Sequence, residues 1–194
     1  MAPSAELVAA AAGTPLTRVE PEWPAFKSQT LFGQLPMLEL PGGAKVCQSA
    51  AIVRVLARRG GLEGKSDADY ALSEMLTEEF GDLLNSLGKA MYPNPPSNDQ
   101  RPAAMTALFA AEGAAVKHLK HFEGLLGASG AFTSTPTSGE LAVVAACHLL
   151  KELEPACLEA VPRLKAFFEG AREASAAKVL AGLAQYYQRK VTAE

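Results

Sequence analysis

The fold is decided by the stretch FGQLPMLELPGGAKVCQSAAIVRVLAR, residues 32–58. Two short apolar runs, residues 35–40 and 44–47, flank the turn signal Pro41-Gly42-Gly43, which predicts a β-hairpin. A helix is predicted for residues 50–59, with its apolar side chains at helical spacing and with Ser49 as its N-cap. Working outward from this stretch, we expect a loop, a strand, a turn, a strand and a helix in close succession.

The start of the first strand and the start of the helix both suggest a binding site. Leu35-Pro36 is an X-Pro bond, for which the cis form is accessible, and Pro is tolerated at the start of a strand or at a sheet edge. A cis bond would turn the Leu35 backbone outward, where it could pair with an extended peptide. The free N–H groups at the start of the helix favour an anion. These features together predict a site for a small peptide that carries a carboxylate.

Composition limits the possible partners. The chain has 194 residues, 48% of them hydrophobic, and a formal net charge of −3 without a basic block, which argues against nucleic acid as the main partner. The apolar segment at residues 5–12 is too short to span a bilayer and lacks a basic segment before it. We therefore expect a soluble, cytoplasmic protein with no membrane partner.

The cysteines and histidines do not predict a metal or disulfide framework. Cys47, Cys147 and Cys157 are odd in number and have no zinc-like spacing, so we expect reduced thiols inside helices and strands. His118 and His121 stand beside two lysines on one predicted helix, which suggests a solvated basic face rather than a metal site.

The remaining pattern divides the chain into an α/β part and an all-α part. A helix at residues 3–13, with Ser4 as a possible N-cap, precedes a short strand at residues 16–19. From residue 67 onward the pattern is helical, and we predict two domains, residues 1–62 and 67–194. Thr137 and Glu140 have capping-box spacing before an apolar helix that we expect at the centre of the second part. The helices predicted there cover residues 69–87, 101–127, 140–152, 162–173 and 176–188.

The block at residues 32–58, with the Trp-Pro-x-x-Lys segment at residues 23–27, resembles the glutathione-site half of a glutathione transferase of the sigma, mu, alpha and pi group, with sigma as the nearest class. The resemblance covers nearly the whole chain and is weaker in the helical part. It implies a thioredoxin-like N-terminal domain, an all-α helical bundle, a homodimer, and glutathione as cosubstrate in its conjugation to small electrophiles. Translation-factor-like and chloride-channel-like relatives of the fold lack the Trp-Pro-x-x-Lys segment, and this argues against them.

The resemblance assigns seven residues to glutathione. It implies that Trp23 and Lys27 contact the glycine carboxylate and that Gln34 and Leu35 bond the cysteinyl backbone. It implies further that three polar residues hold the γ-glutamyl group: Gln48 and Ser49 its carboxylate, and Asp82 its amine from the partner subunit.

Each of these residues also has an ordinary structural interpretation. Trp23 could be a half-buried aromatic, Lys27 a solvated cation and Gln34 a turn residue. Ser49 could act only as a helix cap, and Asp82 could belong to a solvated run of acidic residues on one helix face. The order and spacing of the set, rather than any single member, carry the prediction.

The chain departs from the family pattern at its start. The family carries a strand ahead of the first helix, with a Tyr whose hydroxyl stabilises the glutathione thiolate. Here Met1 stands at the helix itself and the first tyrosine is Tyr70; Ser4 is a conceivable but poorly matched substitute. Two explanations stay open: an N-terminally short version of a full-length enzyme, or a shortened and inactive relative that binds ligands or has a structural role. We expect weak or no conjugation from the 194-residue chain.

Overall fold

The structure is a computed structural model that describes residues 3–91 and 100–172. The predicted helix at residues 176–188 lies outside the described residues. The described elements, in chain order, are α1 (Pro3–Ala11), a 3₁₀ helix (Ala25–Gln29), β1 (Met37–Glu39), β2 (Lys45–Cys47), α2 (Ser49–Gly60), α3 (Asp67–Met91), α4 (Arg101–Leu108), α5 (Ala114–Leu125), α6 (Ser138–Leu153) and α7 (Pro162–Arg172).

The predicted hairpin is confirmed, with strands shorter than expected. β1 and β2 pair antiparallel, with Met37 opposite Cys47 and Glu39 opposite Lys45. The predicted strand at residues 16–19 is wrong, because a strand requires a hydrogen-bonded neighbour and none of the described segments pairs with it. The described part of the chain therefore has a two-stranded sheet.

The hairpin and the first two helices share a small apolar core. α1 packs against α2, and the two helices approach closely where a Cβ on Gly60 would lie 2.4 Å from Cβ of Ala12. Ser4 is buried inside α1, so the prediction that it caps this helix is wrong. Gly13 follows the end of α1 with φ +61°, a conformation that favours glycine. The cluster consists of Ala5, Val8, Ala9, Leu38, Ile52, Val53, Leu56 and Ala57.

Helix α6 is the centre of the helical part, as predicted. Its start has the predicted capping box: Thr137 Oγ1 accepts from the Glu140 N–H, and Glu140 accepts from the Thr137 N–H at 3.1 Å. Glu140 also accepts from the backbone N–H groups of Phe132 and Thr133, at 3.1 and 3.2 Å. One buried carboxylate thus satisfies three backbone donors and ties the preceding loop to α6.

The largest helix–helix contact joins α3 and α6. The backbones approach so closely that a Cβ on Gly139 would lie 2.3 Å from the Ser73 carbonyl oxygen. Ser73 Oγ accepts from the Gly139 N–H at 3.0 Å and lies 3.3 Å from Ser138 Oγ. A buried hydrogen-bonded contact, and not only apolar packing, therefore fixes where the two helices meet.

The single helix predicted for residues 101–127 is wrong. The structure has α4 and α5 separated by residues 109–113, and the Gly113 backbone is extended. A Cβ on Gly113 would lie 2.2 Å from the Leu108 carbonyl oxygen, so the chain reverses here within a space that admits only glycine. The other helices predicted within the described residues are confirmed, with ends that differ by at most four residues.

Leu141 connects the two apolar cores, because its side chain packs against both the N-terminal cluster and the larger core of the helical part. The Ser138 N–H donates to the Leu62 carbonyl at 2.9 Å, which ties the start of α6 to the segment after α2. The three cysteines are free and buried. Cys47 lies in β2 and Cys147 in α6, as expected, whereas Cys157 lies in a turn between α6 and α7. None of the described helices is both long enough and apolar enough to cross a membrane.

Candidate functional site

The register of the hairpin brings two predicted pairs of site residues to one end of the sheet. Gln34 and Leu35 come just before β1, and Gln48 and Ser49 come just after β2. Because Met37 pairs with Cys47, these two pairs flank the same end of the hairpin. The Leu35–Pro36 bond is cis, in agreement with the prediction, and the Leu35 side chain is exposed.

Lys27 lies against the loop that leads into this end. The 3₁₀ helix places its side chain over Gly33, where an added Cβ would lie 3.3 Å from Lys27 Cε. Thr30 closes the turn by donating its hydroxyl to the Lys27 carbonyl at 2.8 Å. Lys27 is exposed, so its ammonium group is available next to the loop that carries Gln34.

Trp23 precedes Lys27 by four residues and enters the turn through the cis Trp23–Pro24 bond. Trp23 is 46% exposed, which agrees with the interpretation as a half-buried aromatic and also leaves its indole accessible to a ligand. An exposed indole beside an exposed ammonium offers two N–H donors from one short segment.

Gln48 has an unusual backbone conformation. It is the one non-glycine residue with positive φ in the described parts of the chain, at φ 74° and ψ 125°. Its carbonyl accepts the first helical hydrogen bond, from the Ile52 N–H at 3.0 Å. Gln48 is therefore the N-cap residue of α2, and the prediction that Ser49 caps a helix starting at Ala50 is wrong. Backbone strain of this kind is typical of functional sites.

The start of α2 supplies a positive electrostatic environment. Ser49 is the first residue of this twelve-residue helix, and the first N–H groups of a helix have no partner within it. They carry the positive end of the helix dipole toward Gln48 and Ser49. A carboxylate at this position would meet the backbone donors and the Ser49 hydroxyl.

Asp82 stands apart from the other six predicted residues. It is exposed on α3, one turn beyond Glu78. Arg54 of α2 donates hydrogen bonds to Glu78 and Glu74, and these bonds, first that to Glu78, raise the pKa of Arg54 above its ordinary value. Within this chain, the described contacts between α2 and α3 thus involve the turns before Asp82 and not Asp82 itself.

The arrangement suits a small peptide with two separated carboxylates. One positive group is the Lys27 ammonium, and the other is the N-terminus of α2 at the same end of the hairpin. Between them, β1 has one free edge among the described residues, with the exposed Leu35 backbone at its start. A peptide with a carboxylate at each end could pair with this edge through its backbone.

One polar cluster was not predicted. His121 and the two neighbouring lysines are exposed, as predicted for a solvated basic face, but His118 is mostly buried and both imidazoles hydrogen-bond to Glu79 of α3. Their three-residue spacing on α5 could have indicated a shared face. The contribution of Glu79 depends on how α3 packs against α5, for which the sequence contains no local signal.

Comparisons with known proteins show relatives of one kind. The chain is 44% identical over 66 residues to the probable glutathione S-transferase 6 of Caenorhabditis elegans, a match that covers 34% of the chain and 32% of that protein. It is 29% identical over 153 residues to the glutathione S-transferase P of the same nematode, covering 76% of the chain and 69% of the relative. The matched region thus spans about a third of the length of the first curated relatives.

A solved structure of the glutathione S-transferase from Ascaris lumbricoides superposes on the chain with a TM-score of 0.73 and 29% identity, covering 90% of the chain and 87% of that structure. No family model matches. The fold is a thioredoxin-like N-terminal part followed by an all-α helical part. In sequence and in fold, the chain is thus similar to glutathione S-transferases.

Proposed function

We propose that the chain binds glutathione at the end of its hairpin and presents the thiol to small electrophiles. The observation that carries this proposal is the juxtaposition of residues 34–35 with residues 48–49 through the Met37–Cys47 pairing. Glutathione is the cosubstrate of the glutathione S-transferases that the chain resembles. Its two carboxylates and its extended backbone match the two positive groups and the free strand edge described above.

Each part of glutathione has a proposed partner. The glycine carboxylate accepts from the Trp23 indole N–H and the Lys27 ammonium, while the Leu35 backbone and Gln34 bond the cysteinyl unit. The γ-glutamyl carboxylate lies against the start of α2 and accepts from Ser49 and the Gln48 side chain. Charge-assisted hydrogen bonds of this kind are the strongest ones available to the site.

The chemistry follows from holding the thiolate in place. The sulfur attacks an electrophilic carbon, a carbon–sulfur bond forms, and the leaving group departs with its electron pair while the thiol proton goes to solvent. The residues named above orient the peptide, and their positive charge favours its ionised forms. They account for binding and positioning of glutathione.

The arrangement of the whole protein is proposed on the same basis. We infer two domains, residues 1–62 and 67–194, with the sigma class as the nearest subgroup. We infer further a cytoplasmic homodimer, in which Asp82 of one subunit reaches the γ-glutamyl amine bound by the other. The exposure of Asp82 and its distance along α3 from the Arg54 pairs support a role outside its own subunit.

A second candidate function is glutathione binding without turnover. It is favoured by the burial of Ser4, the substitute hydroxyl considered above, which is 3% exposed within α1 and therefore does not suit a thiol donor. A protein that carries ligands or has a structural role would need the residues that bind glutathione but not a hydroxyl that activates its thiol.

Binding is tested by isothermal titration of the 194-residue chain with glutathione. We expect Lys27→Gln and the double substitution Gln48→Ala with Ser49→Ala each to weaken binding by about 10- to 100-fold, because each removes a hydrogen bond to a carboxylate. Lys45→Gln is the matched control, since Lys45 is an exposed lysine of the same hairpin outside the proposed site. Equal weakening by Lys27→Gln and Lys45→Gln would contradict the site.

Conjugation of glutathione to a chloronitrobenzene then separates the two candidates. Binding with weak or absent turnover supports the non-catalytic protein, and robust turnover supports the enzyme and shows that this chain activates the thiol without a tyrosine before Tyr70. Absence of glutathione binding would contradict both proposed functions.

A further inference from the structure

Helices α3 and α5 bring three metal-ligating side chains together, away from the proposed glutathione site. Glu79 Oε1 lies 2.8 Å from Nδ1 of His118 and 2.6 Å from Nδ1 of His121. The exposed fractions of the side chains are 22% for Glu79, 13% for His118 and 60% for His121. Within residues 3–91 and 100–172, this is the one group of three such side chains close enough to share an ion.

Both imidazole rings present the same nitrogen to the same carboxylate oxygen. Something positive must lie between these electron-rich atoms, either a proton on each Nδ1 or a cation bound by all three groups. The other ring nitrogen of His118, Nε2, lies 3.4 Å from Ser86 Oγ of α3. A hydrogen bond on the second ring nitrogen is the usual means of orienting a metal-binding imidazole.

The spacing requires little adjustment to admit an ion. The three ligand atoms lie within 4.8 Å of one another. In a tetrahedral zinc site, with bonds of about 2.0–2.1 Å, neighbouring ligand atoms are about 3.3 Å apart. Each imidazole would therefore move away from Glu79 by less than about 1 Å, which rotation of the exposed His121 side chain allows.

We propose that Glu79, His118 and His121 bind one zinc-like divalent transition-metal ion through two imidazole nitrogens and one carboxylate oxygen, with water in the fourth position. This donor set suits zinc and its neighbours in the first transition row, whereas magnesium and calcium prefer oxygen ligands alone. The exposure of His121 leaves the fourth position open to solvent. The ion would link α3 to α5 and stabilise the helical part of the chain.

The charge state of Glu79 suits this role. Partial burial raises the pKa of the Glu79 carboxyl, but hydrogen bonds from His118 and His121 outweigh that effect and lower the pKa below its ordinary value. The carboxylate is therefore ionised near neutral pH, with Oε1 facing both imidazoles.

The experiment titrates zinc chloride into the full chain by calorimetry, in a buffer near neutral pH without glutathione, which itself binds zinc. We expect one zinc per chain, with about 10-fold or greater loss of affinity in His121→Asn and in Glu79→Gln. Glu78→Gln is the matched control, because Glu78 is the neighbouring carboxylate but pairs with Arg54. His121 is exposed, so His121→Asn is expected to fold, and circular dichroism checks this.

A second readout follows the metal itself. Cobalt(II) in place of zinc should give the strong visible absorption of a tetrahedral site in the wild-type chain and lose it in His121→Asn. Zinc should also raise the melting temperature of the wild type and of Glu78→Gln, but not of His121→Asn. A stoichiometry far below one, or equal zinc affinity in the wild type and His121→Asn, would overturn the proposal whatever the outcome for glutathione binding.

Discussion

Gln48 is the residue at which folding and binding conflict. Its positive φ disfavours any side chain with a Cβ, yet the position carries a glutamine where glycine would relieve the strain. The proposed contact with the γ-glutamyl carboxylate gives a reason for the side chain. On this proposal, the site retains Gln48 at the expense of stability.

Comparing two truncations of Gln48 isolates the backbone strain. Both Gln48→Gly and Gln48→Ala remove the side chain, but only glycine adopts φ 74° freely, so Gln48→Gly should be more stable than Gln48→Ala by about 1–2 kcal/mol. Urea unfolding measures the difference. At Lys45, a strand position without positive φ, the order should reverse, with glycine less stable than alanine by about 0.5–1 kcal/mol. The same order at both positions would show that Gln48 is not strained.

Among single residues, the sequence predicted contacts within the hairpin well and contacts between separate helices poorly. The proximity of Gln34 and Leu35 to Gln48 and Ser49 follows from one hairpin, whose turn residues set its register. The strain at Gln48 was not predicted, because a glutamine does not signal positive φ. The pairing of Glu79 with His118 was also missed, since it depends on the packing of two helices that are separate in sequence.

At the scale of elements, the contact of α3 with α6 depends on a small residue. Gly139 stands where α6 begins, and the Ser73 backbone of α3 occupies the space that a side chain would need. The approach also brings the Gly139 N–H to Ser73 Oγ. A larger residue here would have to separate the helices and break this hydrogen bond.

Gly139→Ala should therefore destabilise the chain by about 1–3 kcal/mol, through overpacking against the α3 backbone. Gly81→Ala is the matched control, because Gly81 lies within α3 and a Cβ there meets nothing within 4 Å. That substitution should stabilise the chain by about 0.5–1 kcal/mol through helix propensity. Chemical denaturation gives both values, and two effects of the same sign would refute the packing argument.

The pattern of elements was predictable where local signals were strong. The capping box at Thr137 and Glu140 located the start of α6 to within two residues. The break between α4 and α5 was missed because residues 109–113 contain no proline and Gly113 alone is a weak helix breaker. The strand at residues 16–19 was overpredicted, since its formation depends on a pairing partner rather than on its own residues.

At the scale of the whole molecule, the two apolar cores are joined through Leu141 and through the hydrogen bond from Ser138 to Leu62. The core of eight residues around α1 and α2 is too small for the N-terminal part to fold by itself, because so short a segment buries too little surface. The N-terminal part should therefore unfold together with the helical part in one cooperative transition.

Ile52→Val tests this coupling, because Ile52 is 1% exposed in the N-terminal cluster. It should lower the free energy of unfolding by about 0.5–1.5 kcal/mol. Trp23 is the one tryptophan in the chain, so its fluorescence reports on the N-terminal part, while far-ultraviolet circular dichroism reports on the helices. Both transitions should coincide and shift equally. A fluorescence change that precedes the loss of helix would contradict a single transition.

The hydrogen bond from Ser138 to Leu62 has a further consequence for assembly. Domain swapping between two copies requires a connecting segment that can separate from the rest of its own chain. Here the segment after α2 is held at Leu62 by the Ala57 carbonyl and by the Ser138 N–H, at 2.9 Å each. In each copy, the hairpin should therefore pack against the helices of the same chain. A binding site shared between two copies would then form by contact between their surfaces and not by exchange of segments.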